Sequence, residues 1–243
     1  MTSLATRTID RLHALHDALT ARVATITDDE LAAVSGAAEW DVAQVLSHLG
    51  SQSEIALAAS RSEEPPTQEF NESVWARWDA LDKRAKADGF VTSSAALLAS
   101  FDAVSEEDRV GSTVKLAFLP APLPYATVMG MRLNEFLLHA WDVLGVVDED
   151  AAEVLMEHYA TGLGFLLGFT AKPERLSEPA VVALPGLSLA MTDTVAVTTD
   201  PATAKFGGTA GQAALLLGGR LRDDVPVDGN VTLDELRQVF PGY

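Results

Sequence analysis

The sequence predicts a helical N-terminal domain followed by a small α+β domain. Through the first two-thirds of the chain, apolar residues recur every three or four positions, which is the period of amphipathic helices. That period stops between Pro173 and Pro179, and an alternating pattern rich in β-branched residues follows. We therefore expect two domains, residues 1–173 and 174–243, with the helices of the first packed as a bundle.

Each helix of the first domain is predicted from its own pattern. The second helix is expected to begin near Asp41, because Asp41 and Gln44 have the spacing of a capping box. The polar stretch RSEEPPTQEFNES and the proline-rich stretch VKLAFLPAPLPY are expected to be loops. The remaining helices are expected at residues 8–26, 72–87, 93–104, 125–144 and 150–169.

The second domain shows the signals of strands and short helices. The stretch AVVALPGLSLAMTDTVAVTTD predicts two or three antiparallel strands. The stretch GTAGQAALLLGGRL predicts a short helix that ends at Gly218 and Gly219. In VPVDGNVTLDELRQVF we expect a strand, a turn and a last helix, with Thr232 and Glu235 at capping-box spacing.

Composition restricts the class of partner and of chemistry. The formal net charge of −18 makes nucleic acid and anionic membranes improbable partners, and we expect a monomer. The chain has no cysteine, so any metal must be held by His, Asp or Glu, and any thiol chemistry needs a thiol from outside the chain. No secretory signal and no long apolar span are visible, which predicts a cytoplasmic location.

One predicted helix has a carboxylate and an imidazole at the spacing of metal ligands. In RLNEFLLHAWD, Glu135 and His139 are four residues apart and project from the same helix face. Catalytic zinc sites usually have three protein ligands and an open position, and His48 is the best candidate for the third ligand. Spacing alone also fits an ordinary surface pair with His48 as a hydrogen-bonded core histidine. Arg132 is expected to pair with a carboxylate inside the bundle.

The other histidines and the tryptophans are expected to be structural. His13, His16 and His158 are interpreted as surface residues. The tryptophans are interpreted as core residues before ligand contacts, and they are Trp40, Trp75, Trp78 and Trp141.

Three stretches, EWDVAQVLSHL at residues 39–49, MRLNEFLLHAWDV at 131–143 and LLLGGRL at 215–221, occur in this order along the chain. The first two resemble the W-x-V-x-x-V-x-x-H-L and R-x-x-E-x-x-x-H-x-x-D patterns of the mycothiol-dependent maleylpyruvate isomerase family. That family is part of the DinB-like superfamily of helical metalloproteins. The third stretch resembles the Gly-Arg motif of the family's C-terminal domain.

The resemblance implies a DinB-like up-and-down four-helix bundle followed by a domain similar to a truncated sterol-carrier fold. It implies a divalent metal, usually zinc, on His48, Glu135 and His139, with Asp142 supporting an imidazole or a helix end and Arg220 in the active site. The implied activity uses mycothiol as a thiol cosubstrate on a small electrophile, in cis–trans isomerisation of the maleylpyruvate type or in thiol transfer. A non-catalytic metal- or ligand-binding protein and a metal-dependent hydrolase remain alternatives.

Two departures from the family pattern leave the substrate open. Gly218 and Gly219 precede Arg220 where the family often has Trp before Gly-Arg. The loop at residues 114–125 is unusually rich in proline and apolar residues. Without the resemblance, Arg220 would be interpreted as a surface residue that pairs with Asp223 or Asp224.

Overall fold

A computed structural model describes residues 2–60, 66–116, 119 and 121–242. The chain divides into two compact units, Met1–Val146 and Val147–Tyr243. The first unit is helical, and the second combines short helices with a five-stranded sheet. No helix within the described residues is both long enough and apolar enough to span a bilayer.

The first unit is built on four long helices. Among them, α1 (Leu4–Val23) contacts α5 (Lys83–Asp102) and α7 (Tyr125–Leu144), and α3 (Val42–Ser60) contacts the same two helices. Two short strands, β1 (Thr113–Val114) and β2 (Leu123–Pro124), pair antiparallel. In chain order the elements are α1 (Leu4–Val23), α2 (Asp28–Leu31), α3 (Val42–Ser60), α4 (Gln68–Asp79), α5 (Lys83–Asp102), α6 (Glu106–Gly111), β1 (Thr113–Val114), β2 (Leu123–Pro124) and α7 (Tyr125–Leu144).

The two helices that provide the candidate ligands have clear sequence signals at their ends. At the start of α3, Asp41 Oδ1 accepts a hydrogen bond from the Gln44 N–H at 2.7 Å, and Gln44 Oε1 accepts one from the Asp41 N–H at 2.9 Å. The predicted capping box is therefore confirmed. Helix α7 follows Pro124 and ends at Gly145, whose φ of 71° is in the left-handed region that favours glycine.

Residues 68–102 form two helices that differ from the predicted pair at 72–87 and 93–104. Helix α4 ends at Asp79, and α5 begins after Asp82, whose side chain accepts a hydrogen bond from the Ala85 N–H at 2.8 Å. The aspartate caps a new helix, and a short turn separates it from the helix before. The helix predicted at residues 72–87 therefore spans the end of α4 and the start of α5. The prediction missed this boundary because both helices have the same apolar period.

The tryptophans of α4 have opposite environments. Trp78 is 3% exposed, and its ring lies over Gly50 and Gly89, where a Cβ would come within 2.2 Å and 3.0 Å of it. Trp75 is 41% exposed, so the prediction that it lies in the core is wrong. The pattern places both tryptophans on one side of the helix, and Trp78 is the one that the structure packs against Gly50 and Gly89.

The two predicted loops are only partly described. Residues 61–65 of the polar stretch lie outside the described residues, and the chain from Gln68 onward is helical. In the proline-rich stretch, residues 117, 118 and 120 lie outside the described residues. Its two ends form the paired strands β1 and β2.

The second unit contains a mixed sheet of five strands, β3 (Ala180–Leu184), β4 (Leu187–Met191), β5 (Val195–Thr198), β6 (Ala204–Phe206) and β7 (Val227–Gly229). Their order across the sheet is β5-β4-β3-β6-β7. Strands β3, β4 and β5 are antiparallel neighbours, as predicted, while β6 is parallel to β3 and antiparallel to β7. Its elements are α8 (Glu149–His158), a π-helical turn (Tyr159–Leu163), a 3-10 turn (Gly164–Leu166), α9 (Leu167–Thr170), a second 3-10 turn (Pro173–Arg175), β3 (Ala180–Leu184), β4 (Leu187–Met191), β5 (Val195–Thr198), β6 (Ala204–Phe206), α10 (Ala210–Leu217), β7 (Val227–Gly229) and α11 (Leu233–Val239).

Helix α8 belongs to the second unit, although the sequence places the domain boundary after residue 173. It contacts α10, and its Glu149 carboxylate accepts hydrogen bonds from the Gly211 N–H at 2.9 Å and from Thr209 Oγ1 at 2.7 Å. An acidic side chain at a helix N-terminus is favourable because the first N–H groups of the helix lack backbone acceptors. The helical period of the sequence thus ends near residue 173, whereas the two compact units divide between Val146 and Val147.

Candidate metal centre

The structure brings together the three residues predicted as metal ligands. His48 lies on α3, Glu135 and His139 lie on α7, and one ligand atom from each is within 4.8 Å of the others. His48 Nε2 is 3.0 Å from Glu135 Oε2, and His139 Nε2 is 3.8 Å from the same oxygen. His48 is 87 positions away from Glu135 in sequence. Packing of α3 against α7 therefore places His48 beside Glu135 and His139.

The three side chains differ in exposure. His139 is 5% exposed, whereas the side chains of His48 and Glu135 are 25% and 27% exposed. One side of the group is thus anchored in the unit, and the other can be reached from solvent. A catalytic metal site needs such access for its open position.

The electrostatic surroundings keep Glu135 ionised. Burial raises the pKa of Glu135, but the hydrogen bond with His48 and the electrostatic effects of His139, His48 and Arg132 together outweigh it and lower that pKa to about 2. The carboxylate form, which binds cations, is therefore present throughout the neutral range.

His139 is oriented from behind by Asp142. The Asp142 side chain is fully buried, and its Oδ2 lies 2.7 Å from His139 Nδ1. A carboxylate accepts a hydrogen bond, so Nδ1 has the proton, and in the neutral imidazole Nε2 is then the nitrogen that can bind a cation. The structure thus places Asp142 against an imidazole, one of the two roles implied by the resemblance.

The segment at residues 33–42 contacts the same part of α7. The Gly36 N–H donates a hydrogen bond to the Asp142 carbonyl at 2.9 Å. A Cβ at Gly36 would lie 2.6 Å from the ring of Trp141 and 2.7 Å from the Asp142 Cα, so only glycine fits without a shift. This contact could not be predicted, because nothing in the local sequence shows which helix the segment meets.

Trp40, at the end of that segment, lies against both ligand histidines. Its ring centroid is 5.9 Å from that of His139, with the planes 23° apart, and 5.1 Å from that of His48, with the planes 45° apart. Trp40 is half-buried rather than in the core. Its position eight residues before His48, in the stretch that resembles the family, is the one signal that could have identified it.

Arg132 ties α7 to α3 one helical turn before Glu135. It is 8% exposed, and its Nη2 donates hydrogen bonds to the Leu49 carbonyl and to Ser53 Oγ, both at 3.0 Å. Its guanidinium carbon lies 4.8 Å from the centroid of the Phe136 ring. Within the described residues no carboxylate hydrogen-bonds to Arg132, and its predicted pairing with a carboxylate is limited to an electrostatic interaction with Glu135, which lowers the pKa of that carboxyl. The acceptors are a backbone carbonyl and a hydroxyl, which sequence spacing cannot reveal.

Two of the three remaining histidines are buried, contrary to prediction. His13 is exposed, as expected, and pairs with Asp102 at 3.1 Å. His16 is 9% exposed, and its Nδ1 lies 2.8 Å from Ser94 Oγ. His158 is 1% exposed. Both buried histidines occupy the apolar face of their helix, where a neutral imidazole with a hydrogen-bond partner is tolerated.

Arg220 lies in the second unit, after α10. It is 7% exposed, its backbone N–H donates a hydrogen bond to the Leu215 carbonyl at 2.7 Å, and its Nη1 donates one to the Gly218 carbonyl at 2.6 Å. Its burial contradicts the interpretation as a surface residue. Gly219 has a φ of 70°, and a Cβ there would lie 2.3 Å from the Gly242 nitrogen, so the turn before Arg220 requires glycine.

The fold and the His-Glu-His group define a helical protein with a candidate metal centre between two helices and a small mixed α/β unit after it. The model of the family described as "Mycothiol maleylpyruvate isomerase N-terminal domain" matches residues 12–144. The chain therefore belongs to the mycothiol maleylpyruvate isomerase family, which is a family of enzymes. The matched residues include all three candidate ligands and Asp142.

Two solved structures have a similar fold. A crystal structure of the mycothiol-dependent maleylpyruvate isomerase is 18% identical, with a TM-score of 0.63, and a histidine-to-alanine mutant of it is 19% identical, with a TM-score of 0.64. Each match covers 96% of this chain and 98% of the other. A comparison with curated proteins gives no match. The helix-rich fold with a small sheet is thus shared along nearly the whole chain.

Proposed function

We propose that this protein is a metal-dependent enzyme that uses mycothiol to act on a small electrophilic molecule. The main support is the group formed by His48, Glu135 and His139, within 4.8 Å of one another, in a member of the mycothiol maleylpyruvate isomerase family. The reaction is either cis–trans isomerisation of the maleylpyruvate type or transfer of the thiol to the electrophile.

We propose the finer fold assignment together with the function. Helices α1, α3, α5 and α7 would form a DinB-like up-and-down four-helix bundle, and the ring of contacts among them supports this. The second unit would have a sterol-carrier-like fold, supported by its mixed sheet and short helices. The similarity to isomerase crystal structures over 96% of the chain is consistent with both assignments.

The donor atoms fit a divalent metal. Two imidazole nitrogens and one carboxylate oxygen suit zinc best, although nickel and iron also accept such ligands. When bound, the cation would supply Lewis acidity, which lowers the pKa of a thiol at its open position. Glu135 contributes the negative charge, and Asp142 keeps His139 in the tautomer whose Nε2 can bind. The chain has no cysteine, so the reacting thiol comes from the cosubstrate.

The chemistry of the thiolate accounts for both proposed reactions. Its sulfur adds to an electron-poor double bond, and the electron pair of that bond moves onto the conjugated carbonyl group. Rotation about the resulting single bond follows, and return of the electron pair expels the thiolate and leaves the trans isomer. If the carbon is protonated instead, a thioether remains, which is transfer. Arg220 would hold a carboxylate of the substrate by two parallel N–H···O bonds.

The proposal is tested with metal-loaded protein and a panel of electrophiles that includes maleylpyruvate, each with and without mycothiol. We expect turnover of at least one compound only when both thiol and metal are present. Protein treated with a chelator is the control. Turnover by water without thiol would instead identify a hydrolase. Metal binding with no turnover of any compound would identify a non-catalytic protein.

Asp142→Asn is expected to weaken metal binding about 10- to 100-fold, the usual cost of losing the partner of a ligand histidine. An amide can donate to Nδ1 of His139, which favours the tautomer with its proton on Nε2 and so blocks the ligand atom. The dissociation constant for zinc is measured by competition with a chelating dye. Asp102→Asn is the matched control, since Asp102 pairs with the exposed His13. An unchanged constant in Asp142→Asn would show that this contact does not support the metal.

A further inference from the structure

The contacts of the two ligand imidazoles point to Trp40 as a further positioning residue. We propose that the indole of Trp40 fixes the ring orientation of His48 and His139, so that both Nε2 atoms are directed to one shared cation. This inference rests on the proposed function, because it concerns the same metal site.

The geometry lets Trp40 restrain the rings without blocking the metal. An imidazole binds a cation through a lone pair that lies in the plane of its ring. The indole stacks on the face of His139, with planes 23° apart, and is tilted at 45° to the ring of His48. The two imidazoles meet edge to face, with centroids 4.9 Å apart. In the observed orientation, the Nε2 atoms of His48 and His139 lie 3.0 Å and 3.8 Å from Glu135 Oε2. Rotation of either imidazole away from this orientation would break its contact with the indole.

The two histidines depend on Trp40 to different degrees. His139 is already oriented by the hydrogen bond between its Nδ1 and Asp142. Within the described residues, the hydrogen bond of His48 is the one between its Nε2 and Glu135, and no partner holds its Nδ1. Ring contact with Trp40 therefore restrains the orientation of His48 in addition to the hydrogen bond with Glu135 before a cation binds.

Trp40 can act in this way because its own backbone is fixed. Its N–H donates a hydrogen bond to the Ala37 carbonyl at 2.9 Å, and its carbonyl accepts one from the Ser35 N–H at 3.0 Å. The same segment is joined to α7 by the hydrogen bond from Gly36 to the Asp142 carbonyl. On its other side, Trp40 is followed directly by the capping box that starts α3. The indole is thus held relative to both ligand helices.

The test compares Trp40→Ala and Trp40→Phe with the wild-type protein. The dissociation constant for zinc is measured by dye competition, and the visible spectrum is recorded with cobalt in place of zinc. We expect Trp40→Ala to raise the dissociation constant about tenfold, as loss of a supporting contact around metal ligands does, and to change the cobalt spectrum. Trp40→Phe keeps an aromatic face and should recover most of the affinity. Trp75→Phe, at an exposed position of α4, is the control and should match the wild type.

Each outcome separates this inference from the proposed function. If wild-type protein binds metal and Trp40→Ala matches it in affinity and spectrum, the role of Trp40 is overturned while the metal site stands. If wild-type protein binds no metal, both are overturned. Should circular dichroism show that Trp40→Ala does not fold, Trp40→Leu replaces it. Weaker binding by the Leu variant than by the Phe variant supports the ring contact, and equal binding by the two contradicts it.

Discussion

The His48→Ala protein is expected to lose its metal and to remain folded. Without His48 the cation keeps only Glu135 and His139, both on α7, and two ligands do not form a stable zinc site. Metal analysis should find about one divalent ion per chain in the wild type and almost none in the variant. Turnover with mycothiol should disappear with the metal.

The variant should fold because His48 is at the edge of the core. Its side chain is 25% exposed, and the contact between α3 and α7 also includes the hydrogen bonds of Arg132. His13→Ala is the matched control, since it removes an exposed histidine of α1 that pairs with Asp102. Full metal content in His48→Ala, or wild-type protein with no metal, would remove the basis of the proposed centre.

The Arg220→Ala protein is expected to keep its metal and to lose about 10- to 100-fold in kcat/KM. A hydrogen bond to a charged group contributes about 1.5–3 kcal/mol, which corresponds to about one to two powers of ten in rate. The measurement is kcat/KM for the electrophile identified in the screen, with metal content determined on the same sample.

A second variant separates the role in substrate binding from a role in folding. Arg220 is buried and donates to the Gly218 carbonyl, so its truncation also removes a contact at the end of α10. Arg220→Lys keeps the charge but cannot form two parallel bonds to a carboxylate, and we expect it to be impaired as well. Thermal unfolding of both variants shows how much stability is lost. Wild-type kcat/KM in Arg220→Ala would exclude the residue from the site.

Signals that act within one element were sufficient to predict several features. The period of α7 placed Glu135 and His139 on one face, and the spacing of Asp41 and Gln44 gave the start of α3. In the same way, Thr232 and Glu235 form the predicted capping box of α11. Each feature depends on residues within one or two helical turns, so the regular geometry of a helix is enough to predict it from the sequence.

The predictions were less accurate where the surroundings of a side chain depend on another helix that packs against its own. His16 and His158 looked like surface residues because imidazole is polar, yet each lies where its helix is covered by neighbours. Arg132 was expected to pair with a carboxylate and interacts electrostatically with Glu135, but its hydrogen-bond acceptors are a carbonyl and a hydroxyl on α3. Helical period gives the direction of a side chain but not the group that it meets.

The sequence by itself determined the helical and α+β regions of this protein and the residue types that could hold a metal. Only the tertiary structure decided that His48 meets the pair on α7, that Trp40 covers both imidazoles, and that Gly36 lies against Asp142. The physical reason is how far apart in sequence the interacting residues are. Secondary structure follows from interactions between residues close in sequence, whereas a site between helices depends on how separate apolar faces pack, which involves residues far apart along the chain.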